Sequence, residues 1–500
     1  MSDVTRRNFL KATGVSLGSW ALAGCQGQLV NAMGKSNRKK PNIIFILADD
    51  LGYNELGCYG QTKIKTPNID RIAAEGMRFT QHYSGSTVCA PSRCVLMTGK
   101  HTGHAYVRDN YEVGGWERGD PEGQLPIPAD TVTVAKILKK AGYTTGAIGK
   151  WGLGGPDSEG HPNNQGFDHW FGYLCQRQAH NYYPTHLWRN NQKQVLDNEY
   201  FKAHQKLPKD KDPQDPASYE PYSGKDYAPD LMGEDALDFI RKNKDKPFFL
   251  YFPTLIPHVS LQVPEDSLAQ YKGKLDDKPY TGGKGYLPHP EPHAGYAGMI
   301  TRMDRTVGRI MKLLKQLKID DNTLVIFTSD NGPTFNGGTD SKYFNSPGPF
   351  RGLKCSLYEG GIRVPFIARW PGKIMSGSTS DYVSAFWDFM PTVTDLLGLE
   401  TPGDIDGISI LPTLIGDPED QQKHEYLYWE YARKMQAVRW GEWKAVRKKP
   451  SSAIELYNLK SDIGEKNNVA DQYPDVVKKI GEIMQAARTP SEHFSLVKPT

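Results

Sequence analysis

Val88-Cys89-Ala90-Pro91-Ser92-Arg93-Cys94-Val95-Leu96-Met97-Thr98-Gly99-Lys100 sets one cysteine beside a proline, a hydroxyl and an arginine, then runs into a short apolar turn ending Thr-Gly-Lys. A single cysteine ahead of a helix is most often a small buried residue, so its surroundings in the chain have to decide its meaning. Upstream, Pro41 to Ala48 is a continuous apolar run bounded by a proline, the pattern of a strand buried on both faces. It ends at Asp49-Asp50, and two carboxylates at a buried strand end repel unless a cation sits between them. Downstream, Tyr143 to Gly149 reads as a short strand delivering Lys150-Trp151, and Pro247 to Phe252 as a buried strand delivering Pro257-His258. Thr323 to Thr328 is another, ending Ser329-Asp330-Asn331-Gly332. Strands alternating with helices, with polar residues collected at the strand ends, predict an α/β fold with a doubly wound, mostly parallel sheet whose site lies at the carboxyl edge.

The helices are expected at Thr66 to Gly76, Thr131 to Ala141, Asp230 to Asn243, His293 to Lys318 and Phe386 to Leu397. The first has Thr66 as a cap, Pro67 in its first turn and Gly76 as its stop. The catalytic domain is read as 41–417. Within it, 156–228 is rich in Pro, Asn, Gln, Tyr and His with little periodicity, and is expected to be a substrate-loop insertion over the site. There, Leu174 to Tyr183 combines aromatics with Arg177 and His180, a mix that suits sugar stacking and anion pairing as well as it suits a tyrosine-packed surface loop. His101 to Asn110, just past the cysteine, is a polar loop in which His104 and Arg108 are expected to meet substrate. After Asp417 short strands with tight turns (Tyr426 to Glu430, Met435 to Trp440, Trp443 to Arg447, Ile454 to Asn458) and a helix from Tyr473 to Arg488 predict a small antiparallel α+β subdomain over 418–500.

Charge excludes some partners. The net +4 is carried by residues 1–40, which hold seven Lys/Arg and one Asp; residues 41–500 hold 54 basic and 56 acidic side chains. A nearly neutral body has no global field for a polyanion, so no nucleic-acid partner is expected, and anion specificity must be local. The cysteines at 25, 58, 89, 94, 175 and 355 show no CxxC pairing and no zinc spacing, too sparse for a disulfide framework in so long a chain. Thr5-Arg6-Arg7-Asn8-Phe9-Leu10-Lys11 with the apolar run to Gly24 resembles a twin-arginine export signal over 1–24. It ends Leu22-Ala23-Gly24-Cys25, which resembles a lipobox, with lipidation of Cys25 and a polar tether over 25–40. The run is too short to span a bilayer. The expected place is the periplasm or outer surface of a bacterium, reached through export machinery, with membrane anchoring by lipid only.

The Cys89-x-Pro91-Ser92-Arg93 string followed by Thr98-Gly99 resembles the signature of the type I sulfatases. In that family the cysteine is oxidised to formylglycine by a maturation enzyme. The resemblance spans roughly 41 to 480 and implies the alkaline-phosphatase fold. It implies Ca²⁺ ligation by Asp49, Asp50, modified Cys89, Asp330 and Asn331, with Arg93, Lys150 and Lys354 steadying the nucleophile and the sulfonyl oxygens. His258 corresponds to the histidine near the leaving-group oxygen and is the expected general acid. The implied chemistry is attack by one hydroxyl of an aldehyde hydrate, the other expelling sulfate as the aldehyde reforms; a plain thiolate would leave a stable adduct. The implied substrate is a sulfated glycan or aryl sulfate: the two polar loops resemble those of bacterial sulfatases that act on sulfated glycans, and within that group 4-O-sulfated galactose or N-acetylgalactosamine units are expected.

One position departs. The family commonly has a histidine two residues after the lysine, and here Gly152 stands there. Either another base takes over (His101, His104 or His180), or release is slow, or the step is arranged differently. The rival readings are a phosphonate or phosphodiester hydrolase of the same superfamily and a non-catalytic lipoprotein that binds sulfated glycans.

Overall fold

The structure is a computed structural model and describes residues 40–496 except Trp116. The export signal and Cys25 lie outside the described residues. The main sheet holds β1 (Asn42–Ala48), β2 (Met77–Tyr83), β3 (Thr144–Lys150), β4 (His169–Tyr173), β5 (His186–Arg189), β6 (Gln192–Val195), β7 (Phe248–Pro253), β8 (Thr323–Ser329), β9 (Arg363–Arg369), β10 (Ser378–Ser380) and β11 (Ser384–Ala385). Their order is β10-β2-β9-β8-β1-β7-β3-β4-β5-β6, with β11 also beside β2. The run from β8 through β1, β7 and β3 to β4 is parallel; β9 pairs antiparallel with β8 and β2, and β5 and β6 form an antiparallel hairpin on β4.

β1 shows why the centre is parallel. All seven of its residues are buried, and its side chains alternate between two cores: Ile43, Phe45 and Leu47 on one face, Ile44, Ile46 and Ala48 on the other. The Pro67–Ala74, Ala228–Asn243 and Pro292–Gln316 helices cover the second face, while Cys89–Thr98, Val134–Lys140 and Phe389–Leu397 cover the first. The register sets Ala48 opposite Ser329, so Asp49 and Asp330 leave the sheet side by side.

The stretch 156–228, read as an insertion without periodicity, contributes β4, β5 and β6 and so widens the main sheet. β2 was likewise not expected; it is seven residues of mixed polarity near an edge, with alternate burial. The C-terminal sheet of β12 (Leu427–Tyr431), β13 (Met435–Trp440), β14 (Trp443–Arg447) and β15 (Glu455–Asn458) is antiparallel throughout. The Pro474–Ala486 helix packs on one face of it, and Leu427, Trp429, Ala437 and Val446 on the other join the first core of the main sheet. No helix among the described residues is long and apolar enough to cross a membrane.

Candidate active site

Cys89 opens a ten-residue helix that is buried along its whole length. Val88 before it is extended and gives no side-chain cap, so the first N–H groups of the helix are left for other partners; Asn110 Oδ1 takes that of Ala90 at 3.1 Å. Gly99 ends the helix at φ 69°, a conformation that favours glycine.

The strand ends bring the expected residues onto this cysteine. Cys89 Sγ lies 3.4 Å from Asp49 Oδ1, 3.5 Å from Lys150 Nζ and 3.7 Å from Lys354 Nζ. Lys150 Nζ is 2.7 Å from Asp49 Oδ2, and Lys354 Nζ 2.7 Å from Asp50 Oδ1. Arg93 bridges Asp330 (2.7 Å) and Asp49 (3.1 Å), and Nη1 also donates to the Lys150 carbonyl. His258 Nδ1–H donates to the Val259 carbonyl, which leaves Nε2 facing Asp50 at 3.6 Å. All of these side chains are buried or nearly so.

Such crowding fixes protonation. Burial pushes Asp49 up, but Lys150, His258, Arg93 and Lys354 together hold it well below the carboxylate range. Burial and then Asp49 raise Asp330 to about 6 against the pull of Arg93. Burial opposes charge on both lysines, yet Asp49 beside Lys150 and Asp50 beside Lys354 keep each above the ordinary value. Burial, then Lys354 and Lys150, lower His258 to about 3, so it is neutral in the free site. Burial and then Asp49 push the Cys89 thiol far up, so as a thiol it is a poor nucleophile.

The carboxylates and the open amide oxygen of this site suit a hard cation. One ligand atom from each of Asp49, Asp50, Cys89 and His258 lies within 4.8 Å of the others. Asn331 Nδ2 donates to Asp50 Oδ1 at 2.8 Å and to the Gly332 carbonyl, while its Oδ1 is buried without a partner. A buried carbonyl oxygen beside carboxylates is what an oxygen-preferring ion would satisfy.

Of the expected substrate groups, His180 enters the site. Its ring stacks on His258 at 4.8 Å and 12°, and its Nδ1 shares a 2.9 Å hydrogen bond with His204 Nε2. Arg177 and His204 line an adjoining cavity of about 580 Å³. Two expectations need correction. Arg108 is buried and paired with Glu430 at 3.1 Å, its other donors spent on Ala105 and Thr489, so it ties its own loop to the C-terminal sheet and to Thr489. His104 bonds Asp406 Oδ1 at 2.8 Å, in a cluster just beyond the helix's far end, about 14 Å of helix from Cys89. Asn110 of that loop returns to the start of the helix, where it accepts the Ala90 N–H. Sequence reasoning did not single out Gln176, His204 or Tyr286, whose ring packs 5.1 Å from His180 and 5.9 Å from His258; none sits in a motif or at a strand end.

The Sulfatase family model matches residues 41–399, and the family described as N-sulphoglucosamine sulphohydrolase, C-terminal, matches 353–489. The chain is 33% identical to an N-acetylgalactosamine-6-O-sulfatase of Bacteroides thetaiotaomicron, over 94% of this chain and 97% of that one. It resembles a solved protein from glycosaminoglycan metabolism in the same bacterium at 30% identity and TM-score 0.70, covering 90% and 100% of the two chains. It also resembles a protein solved with a neocarrahexaose, at 27% identity and TM-score 0.71, covering 90% and 93%.

Proposed function

This chain belongs to the sulfatase family and is a sulfuric ester hydrolase; from there we propose that it removes sulfate from a galactose or N-acetylgalactosamine unit of a sulfated glycan. The observation that carries the reading is the convergence of Lys150 and Lys354 within 3.7 Å of Cys89, over paired Asp49 and Asp50 and beside His258. For the position of the ester we favour O6. The sequence alone leans to O4, but relatives at 32–33% identity over most of the chain are named as N-acetylgalactosamine-6-sulfatases, ahead of a steryl-sulfatase at 30%, and that weighs more.

Bound Ca²⁺ held by Asp49, Asp50, Asp330 and Asn331 would supply charge for a sulfate oxygen, and oxidation of Cys89 to formylglycine by a maturation enzyme would supply the nucleophile. The chain's own residues do the rest. Lys150 and Lys354 present fixed positive charge to the sulfonyl oxygens, where preorganised charge contributes most. Arg93 holds Asp49 and Asp330 in place. His258 Nε2 takes up a proton and gives it to the leaving oxygen; an incoming anionic sulfate favours that uptake against the burial and the two lysines that keep the free ring neutral. With position 152 a glycine, His180 is the base for sulfate release: of the three histidines considered, it is the one that touches His258. We further propose export through the twin-arginine route and a lipid on Cys25, which would place the enzyme outside the cytoplasm.

The test is hydrolysis by protein from a host that matures the cysteine, read as sulfate release from N-acetylgalactosamine 6-sulfate and its 4-sulfate and as alcohol release from a phosphodiester. Turnover on the 6-sulfate, lost on chelation and restored by Ca²⁺, is expected. Turnover confined to the phosphodiester, or none with a fully oxidised Cys89, would overturn the reading.

A further inference from the structure

The gap at Gly152 is not empty space. A Cβ built there would lie 2.4 Å from Gln176 Nε2 and 3.0 Å from its Cγ and Cδ, and Gly152 sits at φ 83°, which a side chain rarely adopts. A histidine at 152 would need both the backbone and Gln176 to move. Gln176 therefore stands where a side chain at 152 would begin, two residues past Lys150. It is held there by its loop: Gly152 N–H bonds the Leu174 carbonyl, and the chain continues through Arg177 into the turn that carries His180.

Gln176 is 2% exposed, and its Nε2 is buried with no hydrogen-bond partner. Leaving such a donor unpaired costs a folded protein free energy. A glutamine that only filled the gap would gain nothing from its amide; Met or Leu would fill it without that cost. Gln176 lies against Gly152, two residues past Lys150, whose Nζ is 3.5 Å from Cys89 Sγ, so an anion with several acceptor oxygens bound there would bring a partner for the open donor.

We infer that Gln176 is a sulfate-binding residue: its Nε2–H₂ donates to an oxygen of the bound sulfate group from the space that a side chain at position 152 would fill. This rests on the sulfatase reading. It also explains why the loop of Cys175 to His180 lies against β3: one turn delivers both the amide beside Gly152 and the ring on His258.

The test is calorimetric titration of the Ca²⁺-loaded full chain with inorganic sulfate, which requires neither turnover nor the correct sugar. Gln176→Met keeps length and volume and removes the donor. The expected result is ten- to a hundredfold weaker sulfate binding, the range for a hydrogen bond to a charged group, with the melting temperature kept or raised. Equal affinity in the Met variant would overturn the inference and make Gln176 a filler. Should the Met variant not fold, Gln176→Glu serves, since an acceptor of the same shape must weaken sulfate further; unchanged binding there overturns the inference equally. A wild-type chain that turns over no sulfate ester and binds no sulfate fails the sulfatase reading itself, an outcome separate from loss of the Gln176 effect alone.

Discussion

The helix Cys89–Thr98 has a cluster of ligand-type side chains at each end, and the two are built differently. At its start, Asp49, Asp50, Cys89 and His258 are fully buried, cations stand within 3.7 Å of the cysteine, and Asn331 Oδ1 has no partner. Beyond its end, His101, His104 and Asp406 are as close together, but their hydrogen bonds are made. Gly103 N–H donates to His101 Nδ1 at 3.1 Å, and Asp406 accepts from the His101 N–H at 2.9 Å and from His104 Nδ1 at 2.8 Å. Similar residues thus make a candidate reaction centre where charge is buried and an acceptor oxygen is left open, and a clamp where Asp406 and His101 Nδ1 are already bonded. The first stores free energy for a ligand; the second holds the helix to the loop around Asp406.

The largest effects that can break this contrast fall on the first cluster. Cys89→Ala should lower turnover by about 10⁴-fold or more, because the nucleophile is gone, while His104→Ala, at the other end, should leave it nearly unchanged. Comparable losses in both variants would remove the distinction. His258→Ala should lower kcat by about 10²–10⁴-fold on a sugar sulfate. On an aryl sulfate, whose phenolate leaves without a proton, the loss should be much smaller. Equal losses on the two substrates would show that His258 is not the acid.

A middle-sized effect tests the corrected residue. Arg108→Ala leaves Glu430 buried with Arg488 as its remaining cation, at 2.9 Å. Removing one partner of a buried pair costs about 3 kcal/mol or more. Urea unfolding should show that loss while KM for the substrate stays put; a raised KM with unchanged stability would return Arg108 to the substrate site.

What was legible in the chain follows from how each part is encoded. β1, β7 and β8 are short, wholly buried runs and β3 is buried except at Thr144, so both their presence and the placing of Asp49, Lys150, His258 and Asp330 at one sheet edge could be read from the chain's strand patterning. Lys354 and Arg93 came with the motif and not with any periodicity. His104 was misplaced because nearness in sequence to Cys89 ignores the rigid helix between them, and Arg108 because its buried partner Glu430 lies more than three hundred residues further along the chain. β4 escaped because it is five residues long and includes Gly172, which lies against the Gly149 carbonyl where no Cβ would fit. Gln176 was illegible for another reason: its meaning lies in the gap it fills, which exists only once Gly152 and the turn are folded together.

The smallest effect sharpens the second cluster. Burial lowers His101 to about 4 from its ordinary 6.5, opposed by Asp406. The folded pKa lies below the unfolded one, so between those values the unfolded chain binds more protons and stability falls as pH falls. The loss begins near 6.5 and is complete below about 4. Between about pH 7 and about pH 5 it amounts to about 2 kcal/mol from this one ring. His101→Gln, which keeps a polar side chain but cannot titrate, should lose that much less than wild type over the same interval in urea unfolding. His82, lowered to about 3 by burial alone, titrates in both proteins and cancels in the comparison. Identical losses in wild type and variant would mean that His101 gains a proton without cost. The cluster would then be an open, hydrated one like an exposed loop, and the contrast between the two helix ends would rest on the catalytic end alone.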